Sequence, residues 1–256
     1  MHSSGDAAIL LPARRASSRL PEKLLLAESG KALFAHTLER CLELGQEARV
    51  IAAVDCEELA VIARNAGAEV VLTDPELASG SDRVWAAAQA HEELRFLVNV
   101  QGDEPEIEVD AIRRVLDALR NGAEVATLAA PLPAGALEDP AAVKVVRNSL
   151  GDALYFSRAA IPYARSTGVP GAEPLLHVGV YGYRRDALAS FAAARPTPLE
   201  LCEGLEQLRF LERGVSVRVL DCPQAYPGID TREDYDAFLR RVAPPSNSTT
   251  QQTPHD

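Results

Sequence analysis

The sequence predicts an α/β fold: a Rossmann-like parallel or mixed sheet with helices on both faces and a smaller mixed second lobe. Three observations carry that prediction. Apolar runs of strand length alternate with stretches of helical periodicity over the first half of the chain. Gly45, Gly67 and Gly122 each stand where a helical stretch stops, the position at which a left-handed residue closes a helix. Beyond residue 129 the texture changes to strand-like pieces separated by loops.

Taken in order, 7–11 is a continuous apolar strand, 32–44 a helix stopped by Gly45, and 50–54 a second strand, which together make a βαβ unit. A helix over 57–66 follows, then a strand over 69–72 and a helix over 82–91. The next strand, 96–100, runs straight into Gln101-Gly102-Asp103-Glu104-Pro105, and 109–121 is a helix closed by Gly122. Such alternation puts ligands beyond the carboxyl ends of the strands, the rim that holds both the loop after residue 11 and Asp103. The strand at 125–129 ends the first part, and 143–146, 153–156 and 178–183 supply the strands of the second lobe. A long helix over 198–213 sets Leu201, Leu205 and Leu208 on one core-facing stripe; a strand over 215–220 and a helix from Asp230 or Thr231 complete the fold. The division expected is one domain over 1–242, with a main part at 7–130, the second lobe at 131–222 and a return at 223–242. Residues 243–256 have almost nothing to bury and are expected to be disordered.

Composition bounds the function. The chain has 256 residues, 47% of them hydrophobic, and a formal charge of −11, which argues against general binding to nucleic acid or anionic membranes. An anionic ligand must therefore be gripped locally. No stretch approaches the ~20 apolar residues of a membrane span, and no secretory leader pattern opens the chain, so the expected location is cytoplasmic. Cys41, Cys56, Cys202 and Cys222 are scattered without zinc or disulfide spacing and read as free thiols.

The local grip is the segment from Pro12 to Lys23, which holds Arg14, Arg15, Arg19 and Lys23 between Pro12 and Pro21. Arginine offers a planar two-donor fork and lysine a movable point charge, so the loop suits a polyphosphate; the same composition also fits a solvated turn. No Gly-x-x-x-x-Gly-Lys or Gly-x-Gly-x-x-Gly pattern is present, so side chains must do more of the gripping. Asp103, directly after a strand, stands where a carboxylate can hold Mg²⁺ against phosphate oxygens, or can simply form a turn. Asp230, with Glu233 three residues on, reads first as a helix cap. Glu203, Glu206 and Gln207, interleaved with apolar residues, form either a half-buried polar surface for a hydroxyl-rich ligand or a solvated face. His177 and Arg158 are single residues whose type alone proves little.

A series of segments resembles one family in register. These are 12–20 with Lys23, Ser79-Gly80-Ser81-Asp82-Arg83, 98–105, 143–146, 153–162, 177–184, 198–200, 205–209 and Gly228-Ile229-Asp230-Thr231. Together, over about 8–242, they resemble the 3-deoxy-manno-octulosonate cytidylyltransferases, or CMP-Kdo synthetases. The resemblance implies a Mg²⁺-dependent transfer of CMP from CTP to the sugar acid Kdo, with pyrophosphate released, as the activation step for lipopolysaccharide, in a homodimer formed through the second lobe. It implies that Pro12, Ala13, Arg14, Arg19 and Lys23 hold the triphosphate, that Ser79, Gly80, Asp82 and Arg83 hold the nucleoside, and that Asp103 and Asp230 hold magnesium. Lys23, Asp103 and Asp230 then form the catalytic set, while Gln101, Arg158, His177, Tyr181, Glu206 and Gln207 meet the sugar acid. A cytidylyltransferase for an amino-substituted Kdo or a sialic acid, a metal-dependent glycosyltransferase and a nucleotide sensor are the alternatives. Two departures stand out: Glu22 replaces the family's usual Gly, with Lys23 expected to be held by it before nucleotide arrives, and the connection over 165–176 is short.

Overall fold

The computed structural model describes residues 5–77, 79–166, 168–225 and 228–243. The tail expected to be disordered lies outside these residues, apart from Ala243.

Strand β1 (Ala7–Ala13) is buried at every position, as an unbroken apolar run demands of a strand covered on both faces. It lies parallel to β2 (Arg49–Val54) on one side and to β4 (Phe96–Asn99) on the other. β3 (Glu69–Leu72) extends the parallel set beyond β2. The alternation breaks where β8 (Leu175–Arg184) inserts antiparallel between β4 and β5 (Val125–Pro131), and β9 (Val217–Asp221) then pairs parallel to β5. Among the described residues the main path of the sheet is thus β3-β2-β1-β4-β8-β5-β9. The second lobe grows from the same sheet: β6 (Lys144–Arg147) pairs with the start of β8, and β7 (Ala153–Ser157) pairs with β6.

Period-2 alternation along β1 divides the core into two layers. Ile9 and Leu11 face α1 (Leu33–Leu42), α2 (Glu57–Ala66), α4 (Val109–Arg120) and α8 (Arg232–Val242), whose Phe34, Leu59, Ile112 and Tyr235 are fully buried. Ala8 and Leu10 face the other layer, with Val84 of α3 (Gly80–Gln89) and Leu188 of α5 (Arg185–Ala192). No helix among the described residues is long and apolar enough to cross a membrane.

One expected element is corrected. The helix over 198–213 is two short helices, α6 (Pro198–Glu203) and α7 (Leu208–Glu212), because Gly204 adopts a left-handed conformation at φ 62° and closes the first. The core-facing stripe fails with it: Leu205 and Leu208 are buried, but Leu201 is 71% exposed. The bend is fastened by a buried ion pair in which Arg209 donates to both oxygens of Glu200 and, through Nη1, to the carbonyls of Phe191 and Ala194. Helix α5, which the sequence did not announce, packs its Phe191 ring under that guanidinium at 3.9 Å.

Candidate active site

The ends of β1 and β4 share one rim because the two strands are parallel neighbours, with Leu10 opposite Asn99. The basic loop leaves that rim from β1, and Gln101, Gly102 and Asp103 leave it from β4. At Gly102 a Cβ would stand 3.1 Å from the Phe34 ring and 3.4 Å from the Pro12 carbonyl, so glycine lets the two loops close up. The buried Thr37 hydroxyl donates to the Gly102 carbonyl at 2.9 Å and holds that turn from below.

Asp230 reaches the same rim from the far end of the chain, since the Ile229 amide donates to the Asp103 carbonyl at 2.9 Å. The capping role expected of Asp230 belongs to Thr231, whose hydroxyl accepts from the Asp234 amide while the Asp234 carboxylate accepts from the Thr231 amide. This leaves the Asp230 carboxylate facing the loop. Lys23 Nζ donates to Asp103 Oδ2 and, at 2.8 Å, to Asp230 Oδ1, while Arg19 pairs with Asp230 Oδ2 at 2.8 Å. Burial opposes the charge on Lys23, but Asp103 and Asp230 outweigh it and hold the ammonium above its ordinary range. Glu104 behaves in the opposite way: burial, and then the charge of Asp103, pushes its carboxyl up to about 8. Its protonated form is thereby favoured, which limits the build-up of a third negative charge beside Asp103.

Three cavities meet at Gln101. One, of about 240 Å³, is lined by Pro12, Ala13, Arg14, Arg19, Lys23, Asp103 and Asp230. A second, of about 180 Å³, lies behind Pro12 to Arg14 and is lined by Ser79, Gly80 and Arg83. The third, about 240 Å³, is lined by Ser81, Asn99, Tyr181, Tyr183, Glu206 and Gln207, with Tyr181 and Tyr183 stacked at 5.8 Å. A charged cleft, a small compartment and a polar compartment with an aromatic wall therefore open onto one amide side chain.

The cytidylyltransferase family matches residues 8–217 of the chain. The 3-deoxy-manno-octulosonate cytidylyltransferase of Anaeromyxobacter sp. (strain K) is 45% identical over 230 residues, covering 89% of this chain and 93% of that protein. The chain belongs to this family. The enzyme of the same name from Rhodopirellula baltica is 41% identical over 244 residues, covering 91% of this chain and 97% of that protein. A solved CMP:2-keto-3-deoxy-manno-octonic acid synthetase complexed with CTP is 36% identical, with a TM-score of 0.87 over 93% of this chain and 98% of that one. The 4-diphosphocytidyl-2C-methyl-D-erythritol synthase of Anaerococcus prevotii, 12% identical with a TM-score of 0.62, covers 93% of this chain and all of its own, and shares the fold.

The cytidylyltransferase does not bring every expected side chain to a cavity wall. Asp82 turns back on its own helix, accepting from the Ser79 hydroxyl at 2.9 Å while its amide donates to the Ser79 oxygen. Arg158 spends its guanidinium on the carbonyls of Glu203, Gly204 and Pro140, beneath the third cavity rather than in it. His177 lies one layer behind Tyr181, its ring 5.3 Å away and its Nε2 3.2 Å from the Thr127 hydroxyl, and burial lowers its pKa to about 4. The expected hold of Glu22 on Lys23 is corrected. Glu22 accepts from Arg15 Nε at 2.7 Å, and Arg15 also binds Glu58 through Nη1 and Asp55 through its amide, so this arginine anchors the loop to the end of β2. Lys23 is free of Glu22 because two carboxylates on the rim claim it first.

Sequence reasoning missed Ser81, Asn99 and Tyr183 as cavity residues. Asn99 carried a usable signal, being an amide that ends an apolar strand of the core. Ser81 and Tyr183 lie inside matched segments, but nothing in their type or spacing shows that a turn of α3 and a strand of the inserted β8 face one another.

Proposed function

We propose that the chain transfers CMP from CTP to the anomeric hydroxyl of Kdo, giving CMP-Kdo and pyrophosphate. The observation that carries the reading is the meeting of the three cavities at Gln101, with the paired carboxylates and the basic loop on one side and the polar, tyrosine-walled compartment on the other. In this reading the triphosphate lies along Arg14, Arg19 and Lys23, the nucleoside against Ser79, Gly80 and Arg83, and the sugar acid against Tyr181, Glu206 and Gln207.

The donor set fits a magnesium ion. Asp103 and Asp230 converge on one cation, the Lys23 ammonium, and Mg²⁺ is ordinarily held by one or two carboxylates with substrate phosphates completing the shell. Bound there, magnesium would supply Lewis-acid chemistry, neutralising phosphate charge and acidifying a hydroxyl. The chain's own residues do the rest. Lys23, Arg14 and Arg19 place positive charge where it accumulates on departing pyrophosphate, and the anchoring of the loop through Arg15 fixes the line of approach. Glu206 and Gln207 supply acceptors and donors to hydroxyls and so orient the nucleophile.

The reading extends to a homodimer in the cytoplasm, where CTP is available, supplying lipopolysaccharide synthesis. The dimer is supported by the second lobe, where Leu150, Leu154, Leu199 and Leu201 are exposed and β7 pairs only with β6 among the described strands. Pyrophosphate release tests the reaction: it is expected only when CTP, Mg²⁺ and Kdo are all present. Release from CTP without dependence on Kdo, or equal rates with a sialic acid, would overturn the assignment.

A further inference from the structure

The first turn of α3 is the wall between two of the cavities. Ser79, Gly80 and Arg83 face the nucleoside compartment, while Ser81 faces the compartment assigned to the sugar acid. Ser81 is 8% exposed, and its hydroxyl donates to Glu206 Oε2 at 2.8 Å, bridging elements 125 residues apart. Hydrogen bonds to a carboxylate are among the stronger neutral-donor contacts, and this one holds a single oxygen and leaves the other for a ligand. Asn99 and Tyr183 line the same compartment as Ser81 and Glu206, so this hydrogen bond ties two of its walls together. The turn has contacts on the nucleoside side as well. Ser79 caps α3 through the Asp82 amide, and the buried Arg83 bonds Thr73 at the end of β3.

We propose that Ser81 is a positioning residue that couples the two subsites: a nucleoside seated against Ser79 and Gly80 fixes the turn, and Ser81 then holds Glu206 in the orientation that binds the sugar acid. Nucleotide occupancy thereby tightens the sugar acid, and by linkage the sugar acid tightens the nucleotide by the same factor. The coupling rests on the proposed function and is separable from it by experiment.

Initial rates over a grid of CTP and Kdo concentrations, with CTP binding measured alone, read the effect. Ser81→Ala is expected to raise KM for Kdo by about tenfold or more while CTP binding without Kdo changes by less than about twofold. The tightening of each substrate by the other is expected to vanish. Ser81→Thr and Ser81→Val compare one shape with and without the hydroxyl, which keeps the test sound even if Ser81→Ala were poorly folded. Thr is expected to keep the wild-type KM for Kdo and Val to lose it. Equal Kdo constants in Thr and Val, or a Ser81→Ala variant that weakens both substrates alike and keeps their mutual tightening, would overturn the proposal. A wild-type chain that makes no CMP-Kdo would instead remove the proposed function.

Discussion

Glu104 sits next to Asp103 with its carboxyl buried, and among the described residues its Oε2 has no hydrogen-bond partner. Burial first, and the neighbouring charge second, move it from an ordinary value of 4.5 to about 8 in the folded chain. The sign follows from linkage: a raised carboxyl favours the protonated form, so its contribution to stability is fully present below pH 4.5 and is lost as pH rises through 8. Wild-type melting is therefore expected to fall between pH 5 and 8 relative to Glu104→Gln, by an amount on the order of a few kcal/mol. Parallel curves for the two proteins would contradict the assignment. Glu22 makes a second prediction at this scale. It is a non-glycine residue at φ 53°, a left-handed conformation that costs an L side chain about 1 kcal/mol. Glu22→Gly is expected to raise the urea midpoint slightly while it frees Arg15, and KM for CTP should rise with little change in kcat. Both residues were visible in the sequence, but neither consequence was. The replacement of glycine at 22 announced an extra charge beside the loop, yet the partner it finds depends on which cations the rim has already taken.

At the scale of elements, the βαβ order from β1 to β4 was legible because apolar periodicity reports burial directly, and burial of parallel strands on both faces is what the fold imposes. The orientation of β8 was not. An apolar strand of that length reads the same whichever way it runs, and its direction is decided by the chain crossing back from β6 and β7. The helix over 198–213 misled because its leucines keep helical spacing across Gly204, while the Arg209–Glu200 pair folds the segment on itself. That ion pair is buried on both sides, at 9% and 7% side-chain exposure, so removing one partner strands the other charge. Glu200→Ala is expected to destabilise the fold by about 3 kcal/mol, read as a lower urea midpoint at unchanged slope. Because the same bend carries Glu206 and Gln207, KM for Kdo should rise before activity is lost altogether. A variant as stable as wild type would show that the bend stands without its fastening.

For the whole molecule, the cluster of Lys23, Asp103 and Asp230 is assembled from three chain segments that no local pattern connects. Lys23 and Asp103 are 80 residues apart and Lys23 and Asp230 are 207 apart, and they meet because β1 and β4 are parallel neighbours and the Asp230 loop is pinned to the Asp103 carbonyl. The matched segments named those residues, whereas the capping pattern at Asp230 pointed elsewhere until Thr231 was seen to take the cap. The exposed leucines of the second lobe make a prediction at the same scale: sedimentation equilibrium is expected to show a dimer for wild type and a monomer for Leu154→Glu, and a monomeric wild type would contradict it. A net charge of −11 makes the cationic rim a local exception, so its paired carboxylates have a purpose that bulk electrostatics does not require. Pyrophosphate release by folded Asp103→Asn, with saturating CTP, Mg²⁺ and Kdo, tests this most directly. Turnover is expected to fall by about three orders of magnitude in a variant that still unfolds cooperatively, as loss of an electrostatic and metal-holding group demands. Near-normal release from the folded variant would contradict the account.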